Sequence, residues 1–92
     1  FIDGSKKLAY DGVVPGGTKR NFDYVKDSIS FSKGIDQIQK YLLADAQTSG
    51  GLLISVSKDK IDELDSKLTD GGCSSMKIGE IKEYNDHRIE VL

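Results

Sequence analysis

The chain has 92 residues, 13 Lys or Arg against 15 Asp or Glu, and a formal net charge of −2. That length is one domain or part of one, and the near-neutral balance argues against a general nucleic-acid binder. No apolar run approaches the roughly eighteen residues of a membrane span, no basic-plus-apolar secretory signal opens the chain, and the single Cys73 excludes an internal disulfide and a cysteine-rich zinc site. A compact globule of this mass keeps roughly 5,300 Å² of the roughly 14,600 Å² its unfolded chain exposes, so the core is expected to be thin.

Residues 1–34 carry a charge balance of +2 and residues 35–92 one of −4. Before Gly34 the strong signals are turns. Asp11-Gly12 and Pro15-Gly16-Gly17 punctuate the chain, and no long helix is expected there. Residues 22–31 are apolar without a clean period and read as a loop packed on a core, with room for a short helical or extended piece.

Beyond Gly34 the pattern sharpens. Ile35, Ile38 and Leu42 recur at helical spacing, with Tyr41 beside them, and predict a helix ending near Leu43 or Ala44. Asp45 to Gly51 stops it. The short apolar run Leu52–Val56 predicts a buried strand. Ser57 is a candidate N-cap with Asp59 in the first turn. Ile61, Leu64 and Leu68 then repeat at i, i+3 and i+7 opposite Asp62, Glu63, Asp65 and Lys67, the clearest amphipathic helix in the chain. Gly71-Gly72 ends it. Met76 and Ile78 predict a strand with a bulge at Gly79, Asn85-Asp86 a hairpin turn, and Ile89 with Val91 a half-buried last strand. The C-terminal part thus reads α-β-α-β-β. A right-handed strand-helix-strand crossover implies a mixed sheet.

Two glycine-bearing segments are the candidates for chemistry. Gln47-Thr48-Ser49-Gly50-Gly51 places two hydroxyls and two glycines just before a strand. Such a turn either forms an anion nest or serves as a tight connection. It is no P-loop, lacking the G-x-x-x-x-G-K-[ST] pattern and preceding a strand. In Gly16-Gly17-Thr18-Lys19-Arg20-Asn21 two cations beside two glycines either hold a phosphate or lie solvated, with Thr18 or Asn21 capping a turn. Cys73 stands at a helix exit, whose partial negative charge disfavours a thiolate nucleophile. His87 has no second histidine to make a metal pair. Asp45 is a lone carboxylate at a helix end, suited to an Asx-type loop hydrogen bond and insufficient as a Mg²⁺ site.

Gly12-Val13-Val14-Pro15-Gly16-Gly17-Thr18-Lys19-Arg20-Asn21, followed by Asp45-Ala46-Gln47-Thr48-Ser49-Gly50-Gly51-Leu52-Leu53 and by Ile78-Gly79-Glu80-Ile81, resembles the C-terminal part of the selenophosphate synthetases (selenide, water dikinases). The resemblance covers nearly the whole chain, and two long motifs in the right order make it specific. Ala46 stands where that family usually has proline, which loosens the loop. The resemblance implies a C-terminal domain of the aminoimidazole ribonucleotide synthetase-like fold over residues 1–92, truncated at its N-terminal side. That is an α/β (α+β) layered unit with a mixed sheet and helices, partly ferredoxin-like.

It also implies a cytoplasmic, homodimeric enzyme that makes selenophosphate, AMP and phosphate from selenide, ATP and water with Mg²⁺. The catalytic Cys or selenocysteine, its Lys and most metal-binding aspartates would lie upstream, in the enzyme's own N-terminal domain. Cys73 inherits no role, so no catalytic and no metal residue is expected here, and the fragment alone is expected to be inactive. The nucleotide-facing candidates are Gly16, Gly17, Thr18, Asn21, Thr48, Ser49, Gly50 and Gly51. Partners are that N-terminal domain and a second copy, with no nucleic acid and no membrane. The absence of an initiator Met before Phe1 fits a fragment. Two other readings stand beside this one. A sister enzyme of the superfamily, of the thiamine-monophosphate kinase or hydrogenase-maturation type, is the first. A non-catalytic ligand-binding or interaction module is the second.

Overall fold

A computed structural model describes residues 1–92. The chain divides into two compact units, Phe1–Ser49 with Glu83–Leu92, and Gly50–Lys82.

The first unit holds three helices and a two-stranded sheet. In chain order these are α1 (Ser5–Tyr10), α2 (Gly16–Val25), β1 (Ile29–Phe31), α3 (Gln37–Leu43) and β2 (Ile89–Val91), with a 3₁₀ turn at Lys26–Ser28. Helix α3 packs on both α1 and α2. Ala9 on α1 is the buried apolar residue and Thr18 on α2 the buried polar one. Phe22 of α2 stands edge-on to Tyr41 of α3, with centroids 5.5 Å apart, and tilted against Phe31 of β1 at 6.2 Å. These three rings fasten α2, α3 and the sheet together.

Local chemistry sets the helix ends. Asp36 and Gln39 form a reciprocal capping box at the start of α3: the Gln39 N–H donates to Asp36 Oδ1 at 2.8 Å and the Asp36 N–H to Gln39 Oε1 at 3.0 Å. Tyr10 also donates its hydroxyl to Asp36, tying α1 to the cap. That bond and the Gln39 N–H hold the Asp36 carboxyl below its ordinary value. The same bond raises the Tyr10 phenol. Because the native carboxyl titrates low, its contribution is complete above the usual carboxylate range near about 3.9 and is lost as pH falls through the lowered value.

Helix α1 closes in a Schellman turn. The Gly12 N–H donates to Ala9 O at 3.1 Å and the Val13 N–H to Leu8 O at 2.9 Å. Gly12 sits at φ +88° with open space where a Cβ would stand, so the obstacle to a side chain is the backbone alone. Gly12→Ala is expected to cost about 1 kcal/mol in chemical denaturation. A loss within experimental error would show that the turn relaxes.

The second unit is built on α4 (Ile61–Asp70), entered through a 3₁₀ turn at Lys58–Lys60. Ser57 takes the expected N-cap position of that turn, but its side chain makes no capping bond; its carbonyl accepts from the Lys60 N–H at 2.9 Å. Ile61, Leu64 and Leu68 form the half-buried stripe, and Glu63 pairs with Lys60 at 3.1 Å and Lys67 at 2.7 Å on the solvent side. Hydrogen bonds from Lys67 and Lys60 hold the Glu63 carboxyl below its usual value. The helix ends in a second Schellman turn, Gly72 N–H to Thr69 O and Cys73 N–H to Leu68 O, with Gly72 at φ +74°.

Helices combined with strands are the class the sequence indicates. The sheet is one parallel pair, with Ile29 opposite Ile89 and Phe31 opposite Val91. It is smaller than the mixed, partly ferredoxin-like sheet expected. Leu52–Val56 and Met76–Ile81 are not strands: neither stretch enters a ladder, and Leu52, Leu53, Met76, Ile78 and Ile81 are exposed. A strand needs a ladder partner, and the two stretches, though in the same unit, do not pair with each other. Asn85-Asp86 is a turn but not a hairpin. Asn85 Oδ1 accepts from the His87 N–H at 3.0 Å, and the strand that follows pairs in parallel with β1. The expectation of no long helix before Gly34 also fails, because α2 runs from Gly16 through Val25.

Candidate functional site

The first glycine segment lies in α2. Pro15 is the N-cap residue, extended at φ −58° and ψ 145°, with no capping side chain. Gly16, Gly17 and Thr18 follow as the first helical turn, rather than forming the backbone-reversing turn their composition suggests. Proline presets the φ that a helix start needs, and the two glycines adopt ordinary helical values. Arg20 folds back along the helix, its Nη1 lying 3.4 Å from where a Gly16 Cβ would be. Neither Lys19 nor Arg20 enters an ion pair.

Thr18 is 3% exposed, and its hydroxyl donates to Asp45 Oδ1 at the exit of α3. The other Asp45 oxygen accepts from Gln47 Nε2 at 2.8 Å. One turn along α2, Asn21 Nδ2 donates to Ala44 O at 3.2 Å. Two of the four candidates on α2 are thus spent fixing the helix to the α3 exit. The Asx-type loop hydrogen bond expected of Asp45 is not made: its carboxylate accepts from the side chains of Thr18 and Gln47 and from no backbone N–H.

An apolar cleft of about 220 Å³ opens beside this pair, walled by Leu8, Val13, Val14, Pro15 and Leu42, with Thr18 and Asp45 at one side. Thr48 and Ser49 form an exposed turn just beyond Gln47. Gly50 and Gly51 are exposed and belong to the second unit. The structure therefore brings Thr18 and Asn21 to the loop that leads into Thr48 and Ser49. It does not gather all eight candidates at one point. No three His, Cys, Asp or Glu side chains gather where they could hold a metal ion. Cys73 is exposed at the end of α4.

No family model and no solved structure matches the chain. Curated proteins do. A selenide, water dikinase of Sulfurimonas denitrificans is 39% identical over 95 residues, which takes in 100% of this chain and 26% of the relative. One from Caldanaerobacter subterraneus subsp. tengcongensis is 39% identical over 95 residues and 99% of this chain, again 26% of its own length. The chain is related to part of a selenide, water dikinase.

A third relative of that name, from Aliarcobacter butzleri, reaches 47% identity over 70 residues, 76% of this chain and 20% of its own. The chain thus spans about a fifth to a quarter of the length of these selenide, water dikinases. The sequence motifs led to this family, yet the contacts that organise them were partly hidden. The Thr18 hydroxyl and the Asp45 carboxylate are 27 positions apart, with β1 and α3 between them. The one signal was the position of Asp45 at the exit of a predicted helix.

Proposed function

We propose that the chain is the C-terminal part of a selenide, water dikinase, the phosphotransferase that makes selenophosphate, AMP and phosphate from selenide, ATP and water. The observation that carries this reading is 39% identity running through the entire chain in relatives about four times its length. A second observation supports it. Leu52, Leu53, Met76, Ile78 and Ile81 of the second unit are each more than 70% exposed. Surface of that kind fits a chain that packs against more of its own enzyme.

In this reading residues 1–92 form one C-terminal domain, the N-terminal domain is its partner, and the enzyme is a cytoplasmic homodimer. Of the candidates, Gly16, Gly17, Thr48 and Ser49 face the nucleotide, Thr18 and Asn21 hold their segment in place, and Gly50 and Gly51 are candidates on the second unit. The first-turn N–H groups of α2 have no intrahelical acceptor, and the Thr48 and Ser49 hydroxyls are free to donate to an anion. The residues present fit a role beside ATP. They do not fit a Mg²⁺ centre, because no suitable ligand set gathers, so no step through the metal is derived from them. The contribution of this part to phosphoryl transfer is positioning, with nucleophile and metal chemistry elsewhere in the enzyme.

The test is a chimera in which this chain replaces the matching segment of the Sulfurimonas denitrificans relative. Selenide-dependent conversion of ATP to AMP, with selenophosphate detected by phosphorus NMR, is expected within about tenfold of the parent, a loss under about 1.4 kcal/mol. A folded chimera that forms no selenophosphate overturns the reading.

A further inference from the structure

We propose that Asp45 is a positioning residue that makes the first turns of α2 and the Gln47–Ser49 loop one nucleotide-facing surface. The proposal rests on the reading above and deepens it. Both carboxylate oxygens are engaged, one by Thr18 of the first segment and the other by Gln47 of the second, at 2.8 Å for the latter. Thr18 is the most buried polar residue in the chain, so its hydroxyl has little water to turn to if Asp45 is lost. The neighbouring bond from Asn21 to Ala44 O anchors the same junction. Hydrogen bonds to an ionised carboxylate are shorter and stronger than neutral ones. One side chain therefore ties the first turn of α2 to Gln47, in the loop that leads into the Thr48–Ser49 turn, segments that sequence alone treats as independent sites.

The consequence is coupling. A ligand held by one segment is held in a register that Asp45 fixes for the other, so both respond to one binding event. Asp45 itself need not touch the ligand.

The test is an amide chemical-shift titration of the whole chain with Mg-ATP, on the native sequence and on Asp45→Ala, Thr18→Val and Thr18→Ser. In the native chain, amides of Gly16–Asn21 and of Gln47–Ser49 are expected to shift with one shared Kd. Asp45→Ala and Thr18→Val are each expected to weaken binding about tenfold and to split the two segments into separate responses. Thr18→Ser keeps the hydroxyl and is expected to retain the shared Kd, a rescue that simple loss of packing does not produce.

Different Kd values in the native chain, an unchanged shared Kd in Asp45→Ala, or no response in either segment each overturn the proposal. Chimera turnover separates the two readings. Silent segments with intact selenide-dependent turnover sink the clasp and keep the enzyme family. A shared response without turnover sustains the clasp and sinks the proposed function.

Discussion

On its own, the 92-residue chain is expected to release no AMP or phosphate from ATP in the presence of selenide and Mg²⁺. Phosphoryl transfer is carried by positioning and electrostatic stabilisation acting together, with metal ions neutralising developing charge. This chain offers no gathered set of metal-ligating side chains. Its one thiol, Cys73, sits exposed past the C-terminal end of α4, with no side chain placed beside it to activate it. The check is a nucleotide assay of the chain alone beside the chimera. Selenide-dependent turnover by the isolated chain at a rate near that of the chimera would place the whole reaction within these residues.

Phe22→Ala is expected to be the most damaging single change to the first unit. Phe22 is half-buried and meets both Tyr41 and Phe31, so its removal takes away the ring contacts of α2 with α3 and with the sheet at once. Full burial of a phenyl ring is worth about 3–5 kcal/mol on truncation. Half-burial reduces this, and two ring contacts restore part of it, giving about 2 kcal/mol. For a unit of this size the thermal midpoint falls by about 10 °C. Tyr24→Ala, on the same helix but 90% exposed, is the comparison and is expected to stay within about 0.5 kcal/mol. Equal losses in the two variants would mean that the ring cluster does not hold this unit.

Legibility in the sequence follows from where the information lies. Helices α3 and α4 were readable because Ile38 and Leu42, and Ile61, Leu64 and Leu68, keep helical spacing on one face. Helix α2 was not. It opens on two glycines, the poorest helix formers after proline, and its anchors Thr18, Asn21 and Phe22 follow no apolar stripe. Tertiary bonds to Ala44 and Asp45 supply what propensity withholds. The apolar run Leu52–Val56 and the stretch from Met76 to Ile81 carry strand composition, but composition cannot furnish a neighbour to pair with. The hairpin expected at Asn85-Asp86 failed for a related reason: the turn residues are local, whereas the choice of β1 as partner is not. For the candidate site, the motifs were visible as residue types, and the clasp between them depended on a contact across the fold.

The register of the parallel pair has a kinetic consequence. Bonding Ile29 to Ile89 and Phe31 to Val91 requires the chain to close around everything from Ser32 to Arg88, the whole of the second unit included. Parallel, non-local pairings of this kind form late, because the entropy of closing so long a loop is spent before any ladder bond repays it. The α1–α3 and α2–α3 contacts are closer in sequence and form without it. The two strands therefore act as the latch of the first unit. The amides of Ser32 and Arg88, which donate to Val91 O at 2.8 Å and Ser28 O at 2.9 Å, are its reporters. In hydrogen exchange they are the last to gain protection during refolding and the first to lose it when the loop reopens.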